Sequence, residues 1–523
     1  MKALALAFDM GTQSGRAILV DTKGNIVDKV QKKYEKPYIS KEPGWAEQDP
    51  EFYWQVICEC SLELKERNLE IWNDIIAVSI TTIRNTVVCV DKEGKAVRNA
   101  ILWCDQRESK NHPTLPIAKL AAFKVIGMLD TVQLQMKSAS CNWIKYHRPK
   151  DWAKTYKFLH ISTYLIHKFV GVYKDSNASL TGHVPYNSKE RRWQGENELT
   201  RCLFDIEPEK LCEVVKPGTI LGTINEEVSR KTGIPQGVEF VVTGADKGCE
   251  TLGLSCNTSD KAAISFGTTA TIQVTLDRYL EPIPFIPPYP AVIDGRYSSE
   301  IYITRGYWLI SWFKKEFAEK EMEQAKTKGC SPEELLNIRL TEIPPGCEGL
   351  VFQPFFSPGI DTPTARGAIV GFNSSHTRIH IYRAIIEGIN FALLEGLRVI
   401  ERRGKFKVKE LYMAGGGSQS DEICQITANM FGLPAHRIQT HEVCGLGSAM
   451  TSFVAKGIFK DLDEAAEHMS QIKDTFEPDM EEHRIYEKLF KEVFSAIFPR
   501  LLPIYKKADI YHNEALELED EEK

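Results

Sequence analysis

The sequence predicts an α/β protein of two related domains that face each other across a cleft. Three observations lead there. The stretch from Ala3 to Asp21 reads as two short apolar strands joined by the turn Met10-Gly11-Thr12-Gln13-Ser14, with Asp9 where the first strand ends. Residues Lys261 to Val274 repeat that plan of strand, Gly-Thr turn and strand, now around Phe266-Gly267-Thr268-Thr269. Finally, 523 residues are too many for one core and suggest two domains of roughly 200 to 250 residues. The expected division is 1–247, 248–457, and a last segment 458–523 of helices and an acidic tail.

Each turn has a chemical logic. Glycine lets the backbone approach a ligand closely, and threonine and serine set hydroxyls beside the free N–H groups of the turn. A carboxylate at Asp9 can hold Mg²⁺, a hard cation that prefers oxygen and keeps several waters. Alone, the first stretch reads equally well as an ordinary β-hairpin with a polar tip. Its second copy favours two domains meeting across a phosphate. That arrangement resembles the actin, hexokinase and sugar-kinase superfold, whose two domains are actin-like (ribonuclease H-like). The fold narrows the options without naming a function.

Composition excludes several classes. The apolar fraction of 43% and charged fraction of 26% are those of an ordinary globular protein. Net charge is −6 with no long basic tract, so no nucleic-acid partner is expected. No run of 18 apolar residues occurs, so no membrane span is expected. The thirteen cysteines lack paired spacing, which favours reduced thiols and a cytoplasmic protein. The acidic block Glu514 to Lys523 reads as a solvated, frayed end.

In the first half, strand is expected to continue from Asn25 to Tyr38. The turn-rich loop Lys41 to Pro50 leads into a helix from Glu51 to about Arg67, with Asp49 as cap and Pro50 at the first position. Ile75 to Ile83 reads as a buried strand ending in Arg84-Asn85, with Thr86 to Val90 pairing back on it. In open α/β sheets ligands collect at the carboxyl ends of strands, so Arg84, Asn85, Trp103 and Asp105 are substrate-cleft candidates. Asn142 to Val170 has helical spacing. The apolar run Val238 to Thr243 is followed at once by Gly244-Ala245-Asp246-Lys247, a second carboxylate at a strand end.

In the second half, Gly306-Tyr307 leads into a helix. A strand and loop run through Pro354 to Gly359, and a further helix spans His380 to Arg402. Strand Glu410 to Met413 ends in Ala414-Gly415-Gly416-Gly417-Ser418-Gln419-Ser420. Three glycines between a strand and a helix let a flat base lie on backbone, and the helix N-terminus adds donors. The turn Cys444 to Ala449 opens a helix expected to pack on that same pocket.

Taken together, these motifs resemble the FGGY family of carbohydrate kinases from Leu4 to about Gly457. The resemblance is carried by Phe8-Asp9-Met10-Gly11-Thr12, Pro43-Gly44-Trp45-Ala46-Glu47-Gln48-Asp49-Pro50, Ile101-Leu102-Trp103-Cys104-Asp105-Gln106-Arg107, Gly244-Ala245-Asp246, Ser265 to Thr269, Gly367 to Glu387, and Ala414 to Ser418. It implies ATP and Mg²⁺ as cofactors and a sugar or polyol as substrate. It places Asp9 near metal and phosphates and Gly11, Thr12 and Thr268 on the phosphates. Gly416 and Ser420 would flank the adenosine, and Asp246 would be the general base. Gln13, Gly267, Thr269, Gly415 and Gly417 complete the expected nucleotide site. Arg84, Asn85, Trp103, Asp105, Asp246 and Lys247 make up the expected substrate site.

The sequence departs from the family in two places. A signature with lysine ahead of an aromatic and tryptophan is degraded around Ser140-Cys141-Asn142-Trp143. Arg84-Asn85 matches neither the Arg-Glu of glycerol kinases nor the Met-His of xylulokinases. With Asn85 and Lys247 in place of a glutamate and a glutamine, a ketose such as xylulose or ribulose is the expected acceptor. The alternatives are glycerol or another polyol or autoinducer-type sugar. From another class comes an ATP-driven binding or filament protein of the same superfold, and a homodimer is open to any of these.

Overall fold

The computed structural model describes residues 3–283, 286–357 and 365–521. Pro358 and Gly359 of the loop singled out above lie outside them. Two mixed sheets organise the chain. The first has the order Ile220–Thr223, Glu239–Val242, Ile75–Thr82, Leu4–Met10, Ser14–Asp21, Ile26–Lys33. The second runs Tyr289–Pro290, Tyr297–Ile303, Ala270–Leu276, Lys261–Phe266, Glu410–Gly415, Ala435–Ile438, Ile472–Phe476.

The two sheets repeat one plan. Leu4–Met10 pairs antiparallel with Ser14–Asp21 and parallel with Ile75–Thr82, which is itself parallel to Glu239–Val242. In the second sheet Lys261–Phe266 pairs antiparallel with Ala270–Leu276 and parallel with Glu410–Gly415. Parallel neighbours end on the same side of a sheet. The residues that follow Met10, Thr82 and Val242 therefore meet at one edge, and those after Phe266 and Gly415 meet at another. Leu4 to Phe8 are buried on both faces, as the apolar run of a central parallel strand requires.

A third apolar cluster joins the halves. Ala5, Ala7 and Ile18 of the first sheet and Ala263, Tyr412 and Ala414 of the second enclose residues of two helices, Asp246–Gly253 and Val443–Ala455. Glycines set how closely these pack. A Cβ on Gly447 would lie 2.0 Å from the Cys249 carbonyl oxygen, and one on Gly253 would lie 2.3 Å from that of Val443. The helix opened by the Cys444–Ala449 turn thus rests on Leu4–Met10, Ile75–Thr82 and Asp246–Gly253, between the halves. Ala414, at the start of the glycine turn after Met413, shares the same apolar cluster, but the helix's main contacts are with these three elements.

Other elements differ from expectation for identifiable reasons. The helix Pro50–Arg67 forms with Asp49 as cap, its carboxylate accepting from Glu51 N–H at 2.9 Å. The strand after Asn25 stops at Lys33. Val87–Val90 does not pair back on Ile75–Thr82; it joins a separate four-stranded sheet against Lys157–His160. That last strand interrupts the helical region expected from Asn142 to Val170, because Phe158 and Leu159 bury themselves by pairing rather than by helical periodicity. Residues after 457 supply an edge strand, Ile472–Phe476, to the second sheet. The helix Ser495–Glu521 carries most of the acidic block, which is therefore helical rather than frayed. All thirteen cysteines are unpaired. Among the described residues no helix is long and apolar enough to cross a membrane.

Candidate active site

The edge where the first sheet's parallel strands end brings together Asp9, Arg84 and Asp246. Asp9 is almost fully buried, and Arg16 donates to its carboxylate at 2.8 Å. Arg16 in turn lies 3.3 Å from Glu442, which also pairs with Lys29. Burial pushes the Asp9 carboxyl up to about 6; Arg16 opposes the shift, and Asp246 and Glu442 add to it. The two aspartates are thus within electrostatic reach of each other. Burial also lifts the Cys444 thiol well above its usual range, with Asp9, Glu250 and Asp246 contributing.

Asp246 is the first residue of its helix and keeps its side chain about a quarter exposed. Its Oδ1 accepts from the Lys247 N–H at 2.8 Å and stands 3.7 Å from Arg84 Nε. The helix N-terminus favours a negative charge at this position, and the partial exposure leaves the carboxylate open to the space at the strand ends. Arg84 reaches across to the second half, donating to Glu300 at 3.0 Å, with its guanidinium 4.9 Å from the Tyr289 ring centre. Burial opposes the Arg84 charge, yet Glu300, Tyr289 and Asp246 together hold its pKa above the usual value.

Four of the expected site residues are engaged with other protein groups. The Lys247 ammonium turns to Glu250 at 3.0 Å and to the Ser265 hydroxyl, which itself donates to Glu250. Burial works against that charge, and Glu250 and then Asp246 sustain it. Asp105 grips Arg107 through two 2.7 Å bonds and accepts from the Ala46 N–H. Arg107 also pairs with Glu47 and covers the Trp45 ring. The Gly44–Pro50 and Ile101–Arg107 motifs thereby lock together in a buried ion-pair network, and Asp105 serves that network rather than the cleft. The Ser420 hydroxyl caps the helix Asp421–Phe431 through Ile423 N–H. The Trp103 indole donates to the Thr12 hydroxyl at 2.8 Å, so it steadies the first turn.

The remaining residues sit as follows. Asn85 adopts φ 50°, a left-handed conformation asparagine tolerates, and its Oδ1 accepts from His183 N–H at 3.1 Å. Gly11 donates to the Ser14 carbonyl at 3.0 Å, and Gln13 is exposed at the hairpin tip. In the second turn Thr268 is exposed, Thr269 donates to the Thr304 carbonyl, and the Gly267 carbonyl accepts from Tyr307 N–H. Phe266 lies opposite Gly415, so this turn and the three glycines are neighbours. Gly415 has φ 83° and touches the Phe266 backbone, Gly417 lies against the Tyr307 ring, and a Cβ on Gly416 would meet nothing within 4 Å. Only Gly416 of the three faces open space.

Residues 4–253 match the N-terminal domain of the FGGY family of carbohydrate kinases, and residues 262–456 match its C-terminal domain. The chain belongs to the FGGY family of carbohydrate kinases. It is 28% identical to the xylulose kinase of Bacillus subtilis over 93% of this chain and 95% of that one. It is 26% identical to an uncharacterized sugar kinase, YgcE, of Escherichia coli, over 98% and 97% of the two chains. Among solved structures, the ligand-bound xylulose kinase of Lactobacillus acidophilus superposes with a TM-score of 0.81 at 23% identity, covering 97% of this chain and 99% of the other. The protein is thus an ATP-dependent carbohydrate kinase with the two-domain fold of that family. Sequence reasoning about this FGGY kinase missed Arg16, Glu442, Tyr289 and Glu300. Glu300 was within its reach, being the one charged residue in the strand Tyr297–Ile303.

Proposed function

We propose that this FGGY kinase phosphorylates a ketose such as xylulose or ribulose, with Asp246 as general base. The observation that supports it most is the meeting of Asp9, Arg84 and Asp246 at the ends of three parallel strands, with Arg84 beside the Asp246 carboxylate. Phosphoryl transfer is mostly positioning and charge stabilisation, with the attacking hydroxyl held in line. Arg84 orients the acceptor, and Asp246 takes the hydroxyl proton as the new O–P bond forms. The two Gly-Thr turns, one from each half, offer backbone N–H groups to the phosphates, and Gly416 leaves room for the base. Mg²⁺ would be held by Asp9 with phosphate oxygens and water, which suits an ion that rarely takes an all-protein cage. When bound it offsets phosphate charge. Closure of the two halves over the acceptor keeps water out.

The case for a ketose over glycerol rests on Asn85. The carbonyl oxygen of its amide is taken by His183, which leaves the NH₂ to donate toward a substrate carbonyl oxygen. Where glycerol kinases carry a glutamate, an amide gives up one charge-assisted bond to a hydroxyl, about 1.5–3 kcal/mol. Lys247 adds nothing to this choice, because Glu250 answers its charge. Asp246→Asn keeps the shape and removes the base, so kcat should fall by roughly 10²–10⁴ while nucleotide affinity by calorimetry stays unchanged. Near-normal turnover in that variant would remove Asp246 from the mechanism.

A further inference from the structure

Glu300 lies in the second sheet, yet it completes the group around Asp246. Its side chain is only 2% exposed. One carboxylate oxygen, Oε1, accepts from Arg84 at 3.0 Å. The other, Oε2, is buried and has no hydrogen-bond partner. A buried carboxylate oxygen left without a donor has given up its hydration and gained nothing in exchange. The residue directly opposite is already engaged: Gln273 accepts from the Thr251 and Ser298 hydroxyls through its oxygen and donates to Thr271 through its nitrogen.

The position of that oxygen bears on function. The Arg84 guanidinium stands 3.7 Å from Asp246 through Nε and donates to Glu300 through a terminal nitrogen, so a single side chain separates Glu300 from the proposed base. Arg84 and Glu300 come from opposite halves of the chain. A separation of the halves would therefore expose this oxygen to an entering acceptor. The local charge also selects a ligand class. Asp246 and Glu300 are two carboxylates sharing one arginine, and the nearby Lys247 is balanced by Glu250. An anionic acceptor would enter against that excess of negative charge.

We propose that Glu300 is a specificity residue whose free oxygen accepts a hydrogen bond from a hydroxyl of a neutral polyhydroxylated acceptor. The second half of the chain then reads the sugar as well as holding the nucleotide, and sugar acids are selected against. This rests on the reading of Asp246 and Arg84 as the acceptor site.

The test is steady-state kinetics of the full chain with xylulose, ribulose and gluconate, for the wild type and Glu300→Gln. Loss of one charge-assisted bond should raise the ketose KM roughly 10- to 150-fold, with kcat and the KM for ATP little changed. A series of deoxy-ketoses separates recognition from a merely structural effect. The analogue lacking the accepted hydroxyl should lose affinity for the wild type and lose nothing further for Glu300→Gln. An unchanged ketose KM in a variant that binds ATP normally overturns the proposal, as do equal deoxy penalties in both proteins. Should the variant not fold, the wild type decides alone, since a preference for gluconate over both ketoses overturns it. If the wild type shows no ketose-dependent ATP consumption, the ketose reading itself falls. If ketoses are turned over and only Glu300→Gln is silent, that reading stands and Glu300 is excluded.

Discussion

The two Gly-Thr hairpins share a plan and differ in how they are charged. The first, around Gly11 and Thr12, is wired to ions: Asp9 to Arg16, Arg16 to Glu442, Glu442 to Lys29. The second, around Gly267 and Thr268, is held by neutral bonds, from Thr269 to the Thr304 carbonyl and from Tyr307 N–H to the Gly267 carbonyl. One hairpin fold can therefore serve two tasks. The carboxylate side suits a cation and the base beside it. On the proposed reading both turns meet phosphate oxygens, the first through a cation that offsets the Asp9 charge and the second without a carboxylate in its loop.

The largest effect is expected from breaking the charged turn. Asp9→Asn removes the only carboxylate of either turn, and kcat should drop at least about 10²-fold, as for loss of a transition-state charge stabiliser. Steady-state rates over a Mg²⁺ titration check this; a rate within tenfold of wild type would show that the two turns are alike after all.

The same substitution should make the protein more stable at neutral pH. The folded Asp9 carboxyl has a pKa near 6 against 3.8 for the free group. Between those values the folded state binds more protons than the unfolded state, so stability falls as pH rises. Above pH 6 the ionised Asp9 costs about 1–3 kcal/mol, a cost asparagine avoids. Thermal unfolding should show Asp9→Asn melting higher at pH 8, with the gain shrinking as pH falls through 6 toward 4. Equal melting temperatures at pH 8 would mean that burial does not penalise this carboxylate.

The glycine turn offers an intermediate contrast. A Cβ at Gly417 would come within 2.4 Å of the Tyr307 ring, so Gly417→Val should destabilise by about 1–3 kcal/mol through overpacking. At Gly416 an added Cβ meets nothing within 4 Å, so the melting temperature of Gly416→Val should hold while nucleotide affinity falls and sugar binding without nucleotide is retained. Calorimetry with unaltered nucleotide affinity would take Gly416 out of the pocket. The smallest effect belongs to the neutral turn. Thr268→Ala removes one uncharged hydroxyl, worth about 0.5–1.5 kcal/mol, or roughly 2- to 13-fold in the KM for ATP. A loss as large as that of Asp9→Asn would erase the distinction between the turns.

Much of this was readable before the structure. The strand ends at Asp9, Arg84 and Asp246 follow from short apolar runs bounded by glycine and polar residues, signals local enough to see in sequence. The capping of Pro50–Arg67 by Asp49 is local in the same way. What sequence could not supply are contacts between distant segments. Arg84 meets Glu300 across 216 positions, and Lys29 meets Glu442 across 413. Asp105 and Lys247 looked like site residues because they are charged and sit at loop or helix starts. Their partners Arg107 and Glu250 lie two and three positions on, but only packing reveals that the charges point at each other. Lys157–His160 was hidden because a four-residue apolar strand beside helices has no periodicity of its own.

The choice of acceptor is decided by a coupled assay of ATP consumption by the wild-type protein across xylulose, ribulose and glycerol. A ketose should show kcat/KM roughly 10- to 150-fold above that for glycerol, the worth of the bond that Asn85 cannot offer a triol. A panel in which glycerol comes out best, or in which ATP is consumed equally with no acceptor present, would contradict the ketose reading.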